Sequence, residues 1–130
     1  IDVFGQGKMQ RDFTYIDDLV DAIVGLMAKP PQRGNPVAHD SLSPAAPFRT
    51  VNIAGGKPTE LMAFIKAIEQ AMGKSAIINF LPMQQGDVTA TESDTALLQA
   101  LIGGIPQTTV EDGVAKFVAW YRQYYPRPSL

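Results

Sequence analysis

Apolar residues recur at helical spacing in several stretches of this chain and at strand spacing in others. Leu19, Val20, Ile23, Leu26 and Met27 return every three or four positions, which predicts an amphipathic helix. Thr14 or Asp17 is placed to cap it, and Pro30-Pro31 ends it. Leu61, Phe64, Ile65, Ile68 and Met72 mark a second helix, capped by Thr59 and closed by Gly73. A short helix is expected from about Asp94 to Leu101, ended by Gly103-Gly104. Thr108-x-x-Glu111 has the capping-box spacing and opens a last helix, with Val110, Val114, Phe117, Val118 and Tyr121 on its buried side. Ile1 to Phe4, Phe13 to Tyr15, Arg49 to Ile53 and Ala76 to Leu81 read as extended or strand segments. Gly5-Gln6-Gly7 and Gly55-Gly56 punctuate them.

Between these elements, Pro30 to Pro47 is rich in Pro, Ser, Asn and Ala and has little periodicity. It predicts a long loop, of a length that is usually functional or mobile. Pro82 to Val88 is a second loop. No internal repeat is visible. With 130 residues, 45% of them hydrophobic, the chain suits one domain over residues 1–125 with a modest core and a frayed tail at 126–130. The chain opens at Ile1 inside a β-type run, which is expected of a truncated product.

A net charge of -2 argues against a general binder of nucleic acid or anionic membranes. The absence of cysteine removes disulfides and thiolate metal sites and permits a reducing, cytoplasmic setting. No apolar run reaches the length of a membrane span.

Few polar residues carry candidate chemistry. Gly5-Gln6-Gly7-Lys8 lacks the spacing of a phosphate loop and puts Met9 where a hydroxyl is needed, so a hairpin turn is expected. His39, the only histidine, lies in the long loop with no second ligand at metal spacing, so it reads as a solvated residue. Asp17, Asp18 and Asp21 sit at a helix start, where carboxylates complement the helix dipole. Trp120, Tyr121, Tyr124 and Tyr125 form a late aromatic group expected to pack on a neighbouring element. Arg11 stands apart, following a strand and turn and preceding a helix, so its head can face a cleft. Its planar fork of donors suits a diphosphate. An Arg11–Asp12 structural pair is the competing expectation.

Four blocks in order carry a resemblance. They are Gly7-Lys8-Met9 through Arg11-Asp12-Phe13-Thr14-Tyr15-Ile16-Asp17-Asp18; Val51-Asn52-Ile53-Ala54-Gly55; Pro82-Met83-Gln84-Gln85-Gly86-Asp87-Val88; and Glu111-Asp112-Gly113-Val114 through Phe117-Val118 to Trp120-Tyr121-Arg122. Together they resemble the C-terminal third of the NAD-dependent nucleotide-sugar epimerases and dehydratases, the extended short-chain dehydrogenase/reductase group. Within it the chain looks most like the UDP-glucuronate 4-epimerases. The resemblance implies an α/β fold, the C-terminal substrate-binding portion of such an enzyme, without its Rossmann half. Neither the dinucleotide fingerprint nor the Tyr-x-x-x-Lys pair of the family occurs in the chain.

The same resemblance implies roles for single residues. Phe4 and its backbone run beside the uracil ring, Arg11 binds the diphosphate, and Gln84 to Asp87 close on the nucleoside. Asp87 accepts hydrogen bonds from the ribose hydroxyls. Gln84 departs from the Arg that many relatives carry, and Glu92 departs from an aromatic in a Thr-Tyr-Ala-Asp run. The substrate-binding set is therefore Phe4, Arg11, Gln84 and Asp87, with no catalytic, cofactor-binding or metal-ligating residue in the chain.

For the parent enzyme the resemblance implies that NAD takes a hydride from C4 of the sugar, the 4-keto sugar turns over, and the hydride returns to its other face. By the same implication NAD is bound by the missing N-terminal half. This chain's part is binding energy from the nucleotide, which places the sugar. The strand matching Arg49 to Ile53 would join the edge of the absent sheet. Exposed edges and apolar helix faces then favour a homo-oligomer or a swapped arrangement. Expected partners are a UDP-sugar and the missing Rossmann half, with no nucleic acid and no membrane. The alternatives are a 4,6-dehydratase or decarboxylase fragment and a non-catalytic nucleotide-sugar binding or assembly module. An upstream Gly-rich fingerprint would favour the enzyme.

Overall fold

The strands of this protein are two residues long, and helices supply most of its packing. The structure, a computed structural model, describes residues 1–125. The expected frayed tail lies outside them. In chain order the elements are β1 (Asp2–Val3), a tight turn (Phe4–Gly7), β2 (Gln10–Arg11), α1 (Ile16–Met27), β3 (Thr59–Glu60), α2 (Leu61–Met72), β4 (Asn79–Phe80), α3 (Ala96–Ile102) and α4 (Val110–Tyr124). The α/β class is as expected.

The chain gathers into two compact units, each assembled from separated segments. The first combines Ile1–Arg11, Thr59–Thr91 and the chain from Thr109 onward. In it β1 pairs in parallel with β4, in the register Asp2 to Asn79 and Val3 to Phe80. β2 pairs antiparallel with β3, Gln10 opposite Glu60 and Arg11 opposite Thr59. Its helical core lies between α2 and α4, where Ala67, Val114 and Val118 are buried and Phe64, Ala71, Met72 and Val110 close around them. Small Ala67 lets the two helices approach, and the β-branched valines fill the seam. Arg122 donates from Nη2 to the Met72 carbonyl at 2.9 Å and satisfies an end carbonyl of α2.

The second unit combines Asp12–Pro58 and Glu92–Thr108. Here α1 packs on α3, and Gly25 brings the backbone of α1 against Ile102. Leu97, Leu98 and Leu101 of α3 are buried, Leu98 completely. Two carboxylates tie this unit together. Asp18 accepts from the Gln107 and Thr108 amides at 3.0 and 2.8 Å and from the Thr108 hydroxyl at 2.7 Å. Asp12 Oδ2 accepts from the Gly56 amide at 3.1 Å and the Ser93 amide at 3.3 Å.

The long loop is pinned at its far end. Arg49 and Asp40 form a nearly fully buried ion pair at 2.9 Å. Next to it, Ser41 Oγ accepts from the Thr50 amide and donates to the Thr50 carbonyl.

Several local expectations are corrected. Residues 49–53 form no strand, because no partner strand lies beside them among the described residues. Of Ala76–Leu81 only Asn79–Phe80 pairs, and Ile77 stands exposed. Tyr15, not Thr14 or Asp17, occupies the cap position of α1, with Asp17 and Asp18 in the first turn. Thr59 pairs in β3 instead of capping α2. The cap of α4 is Thr109, one residue later than expected, and its Oγ1 accepts from the Asp112 amide at 3.1 Å. Thr108 gives its hydroxyl to Asp18 instead.

The helix faces shift too. On α1, Ala22 is buried and Leu19 and Leu26 are half-buried, while Val20, Ile23 and Met27 are exposed. On α4, Phe117 and Tyr121 are exposed beside the buried Val114 and Val118.

Candidate functional site

Phe4, Arg11, Gln84 and Asp87 all fall in the first unit, and its backbone hydrogen bonds bring their segments together. Phe4 opens the turn that leaves β1. Arg11 ends β2. Gln84 and Asp87 sit on the loop that leaves β4, and this loop is sewn down at both ends. At its root, the Leu81 amide donates to the Val3 carbonyl at 2.9 Å, and the Gln6 amide donates to the Leu81 carbonyl at 3.4 Å. At its far end, the Gln10 amide donates to the Thr89 carbonyl at 2.8 Å, and the Thr91 amide donates back to the Gln10 carbonyl at 3.2 Å. The loop therefore starts beside Phe4 and finishes beside Arg11. This fixation follows from the ladder bonds that a backbone must make when it leaves water.

Inside the loop the Asp87 amide closes a turn on the Gln84 carbonyl at 3.2 Å, and Gly86 takes the left-handed φ of 91° that the turn demands. Gln84 and Asp87 share that turn, and both side chains are exposed. Arg11 is half-buried and donates from Nη1 to the Gln10 carbonyl at 2.7 Å, which holds the guanidinium against its own strand. The Asp12 carboxylate is engaged with Gly56 and Ser93, so the expected Arg11–Asp12 pair does not form. Asp12 Oδ1 is buried and has no hydrogen-bond partner among the described residues.

The left-handed course of the three residues after Phe4 is the part of the candidate site that sequence reasoning missed. Gly5, Gln6 and Gly7 all adopt left-handed backbone, with φ of 61°, 55° and 74°. Methionines pack its inner side. A Cβ on Gly7 would lie 2.7 Å from Met62 Sδ, and one on Gly5 would lie 3.2 Å from Met9 Cγ and 3.4 Å from Met83 Cε. The Gly-x-Gly spacing is the available signal, and by itself it specifies only a turn. The turn runs into β2 and not into a helix, so it presents no helix N-terminal amides to a dinucleotide pyrophosphate. These residues do not fit a cofactor cradle.

Other candidates have surroundings of their own. His39 is exposed in the long loop with a left-handed φ of 60°. The aromatic group on α4 packs ring on ring, with Trp120 stacked on Tyr124 at 5.3 Å and Tyr121 against Tyr125 at 4.9 Å. These rings stay 44–64% exposed, so the expected packing on a neighbouring element is not what the structure shows. The half-buried Tyr15 has its phenol raised above the ordinary value by desolvation and then by the Asp17 and Asp18 carboxylates. Among the described residues no helix is long and apolar enough to cross a membrane.

Known proteins agree with this architecture. Residues 1–54 match the model of the NAD dependent epimerase/dehydratase family. A probable UDP-glucuronate 4-epimerase of Rhizobium meliloti is 55% identical over 98% of this chain. The crystal structure of a UDP-glucuronic acid 4-epimerase from Bacillus cereus, in complex with UDP-glucuronic acid and NAD, superposes with a TM-score of 0.73. It is 27% identical over 96% of the chain. A UDP-glucose 4-epimerase from Bifidobacterium longum, with NAD+ and UDP bound, shares the fold at a TM-score of 0.77 and 21% identity over 99% of the chain. The chain spans 38% of the length of the Rhizobium relative and 36% of each of the two crystallised chains. Its fold is that of the C-terminal part of extended short-chain dehydrogenase/reductase epimerases.

Proposed function

We propose that this chain, which has the sequence and fold of the C-terminal part of the NAD-dependent epimerase/dehydratase family, is the nucleotide-sugar-binding portion of a UDP-glucuronate 4-epimerase. One observation carries the proposal: Phe4, Arg11, Gln84 and Asp87 lie on three segments that backbone hydrogen bonds gather into one unit. The names and ligands of the Rhizobium and Bacillus proteins support the choice of UDP-glucuronate.

Each side chain then has a task suited to its chemistry. Phe4 lies along the uracil. Arg11, permanently charged and planar, grips the diphosphate. The exposed turn of Gln84 to Asp87 closes on the nucleoside, where the Asp87 carboxylate accepts from ribose hydroxyls and Gln84 supplies a neutral donor and acceptor. The sugar is not held by these residues, which leaves it free to turn over between two hydride transfers.

NAD supplies the hydride acceptor and donor in this reading. It is bound by polypeptide outside these residues, as is the general base. The chain contributes binding energy from the part of the substrate that does not react. A 4,6-dehydratase or decarboxylase would use the same nucleotide grip.

Arg11→Ala tests the assignment. UDP-glucuronate affinity of the complete parent enzyme should fall more than tenfold, a loss of about 1.4 kcal/mol or more for a charge-assisted contact. Unchanged affinity by titration calorimetry would remove Arg11 from the site.

A further inference from the structure

We propose that Met83 is a reversible oxidation site, whose sulfoxide frees the loop bearing Gln84 and Asp87 from the turn that carries Phe4. The consequence for ligand binding rests on the UDP-sugar assignment above. The loosening of the loop does not.

The chain has no cysteine and five methionines, so thioethers are its only sulfur. Among the described residues, three of them from separated parts of the sequence meet at the left-handed turn. Met9 is buried beneath Gly5, with Cγ 3.2 Å from the position a Cβ on Gly5 would take. Met62, half-buried at the start of α2, sets its Sδ 2.7 Å from the corresponding position on Gly7. Met83 reaches in from the loop after β4, and its Cε lies 3.4 Å from the Gly5 position. Neither glycine has a Cβ, and flexible thioether chains occupy the room this leaves.

Met83 differs from Met9 in access. It is 41% exposed, whereas Met9 is 7% exposed. It also stands immediately before Gln84. Residues 82–90 are all exposed, so the loop has little packing of its own between the backbone bonds at Leu81 and Thr89. The Met83 methyl against Gly5 gives that loop a side-chain foothold on the turn. Segments with so few apolar contacts open easily, so a change in this one side chain shifts the balance.

The chemistry is that of a thioether with a hydroperoxide. A sulfur lone pair attacks the terminal peroxide oxygen and the O–O bond breaks. The proton of that oxygen passes to the leaving one, which departs as alcohol or water. Sulfur is oxidised by two electrons and the peroxide is reduced. The sulfoxide is polar and chiral, and it no longer suits an apolar seat against Gly5. Methionine sulfoxide reductases reverse the change with thiols as reductant; these become a disulfide while the oxygen leaves as water. Met27 is an internal control. It is 76% exposed on α1, in the other unit, and its oxidation should leave the turn unchanged.

The experiment treats the wild-type chain and Met83→Leu with graded hydrogen peroxide and locates each sulfoxide by peptide mass spectrometry. Amide NMR and UDP affinity by calorimetry are followed alongside. Met83→Leu keeps an apolar contact and removes the sulfur. In the wild type, Met27 and Met83 should oxidise before Met9. Met83 oxidation should shift the Gly5 and Gly7 amides and weaken UDP by roughly fourfold, the worth of about one buried methyl group. A sulfoxide reductase with dithiothreitol should restore both. Met83→Leu should hold its UDP affinity through the same peroxide exposure. Unmoved Gly5 and Gly7 amides in a chain carrying Met83 sulfoxide would overturn the inference, as would an equal loss of affinity in treated Met83→Leu. Failure of the untreated chain to bind UDP at millimolar concentration would overturn the UDP-sugar assignment instead. The Gly5 and Gly7 amides then decide the loosening on their own.

Discussion

Asp18 shows how much a single carboxylate does in this molecule. It accepts from the Gln107 amide, the Thr108 amide and the Thr108 hydroxyl, all within 3.0 Å. These are charge-assisted bonds, and removing the acceptor strands two backbone donors. Asp18→Ala should therefore destabilise the protein by about 2–3 kcal/mol in urea unfolding. A loss below about 0.5 kcal/mol, the size of an ordinary surface change, would show that water replaces the carboxylate without penalty. The sequence places Asp18 in the first turn of a helix, where the dipole explains it adequately. Its partners lie about ninety positions away, and no local pattern announces them. Asp12 is similar: sequence adjacency suggests Arg11 as its partner, but long-range amides of Gly56 and Ser93 take the carboxylate. Arg11 stands out in the sequence because its residue type is a local fact, but its place at the end of β2 depends on pairing with the distant Thr59.

At the scale of elements, helix existence is legible and helix environment is not. All four helices appear near their expected places because their apolar periodicity is strong. Thr109 replaces Thr108 as a cap because two adjacent threonines offer the same oxygen and only tertiary structure, through Asp18, distinguishes them. The strand expected at 49–53 fails for a different reason: a strand needs a partner, and periodicity within one segment cannot supply it. On α1, Ile16, Val20, Ile23, Val24 and Met27 form an exposed stripe about 100° wide, by the turn angle of an α-helix. Contiguous apolar patches of this kind associate in water. We expect the isolated chain to self-associate through this stripe. Val20→Lys with Val24→Lys should lower the sedimentation coefficient toward that of a monomer without lowering the thermal midpoint. A wild-type chain already monomeric at high concentration would contradict this.

At the scale of the whole molecule, the proposed function assigns nucleotide binding to this chain and the chemistry to polypeptide outside it. The candidate nucleotide site is legible as a residue set from the family resemblance. Its assembly is not, because β1–β4 pairing and the bonds from Gln10 to Thr89 and Thr91 join segments about eighty residues apart. The isolated 130-residue chain, supplied with NAD and UDP-glucuronate, should show no epimerisation by chromatography of the sugar nucleotides. Turnover above the uncatalysed background would place catalytic groups within it. The most direct test of the nucleotide site is amide NMR of the isotope-labelled chain during titration with UDP. Shift changes should concentrate at Phe4 to Gly7, at Arg11 and from Gln84 to Asp87, and leave the amides of α4 and of residues 30–47 in place. Changes confined to α4 or the long loop, or none at millimolar UDP, would contradict the account.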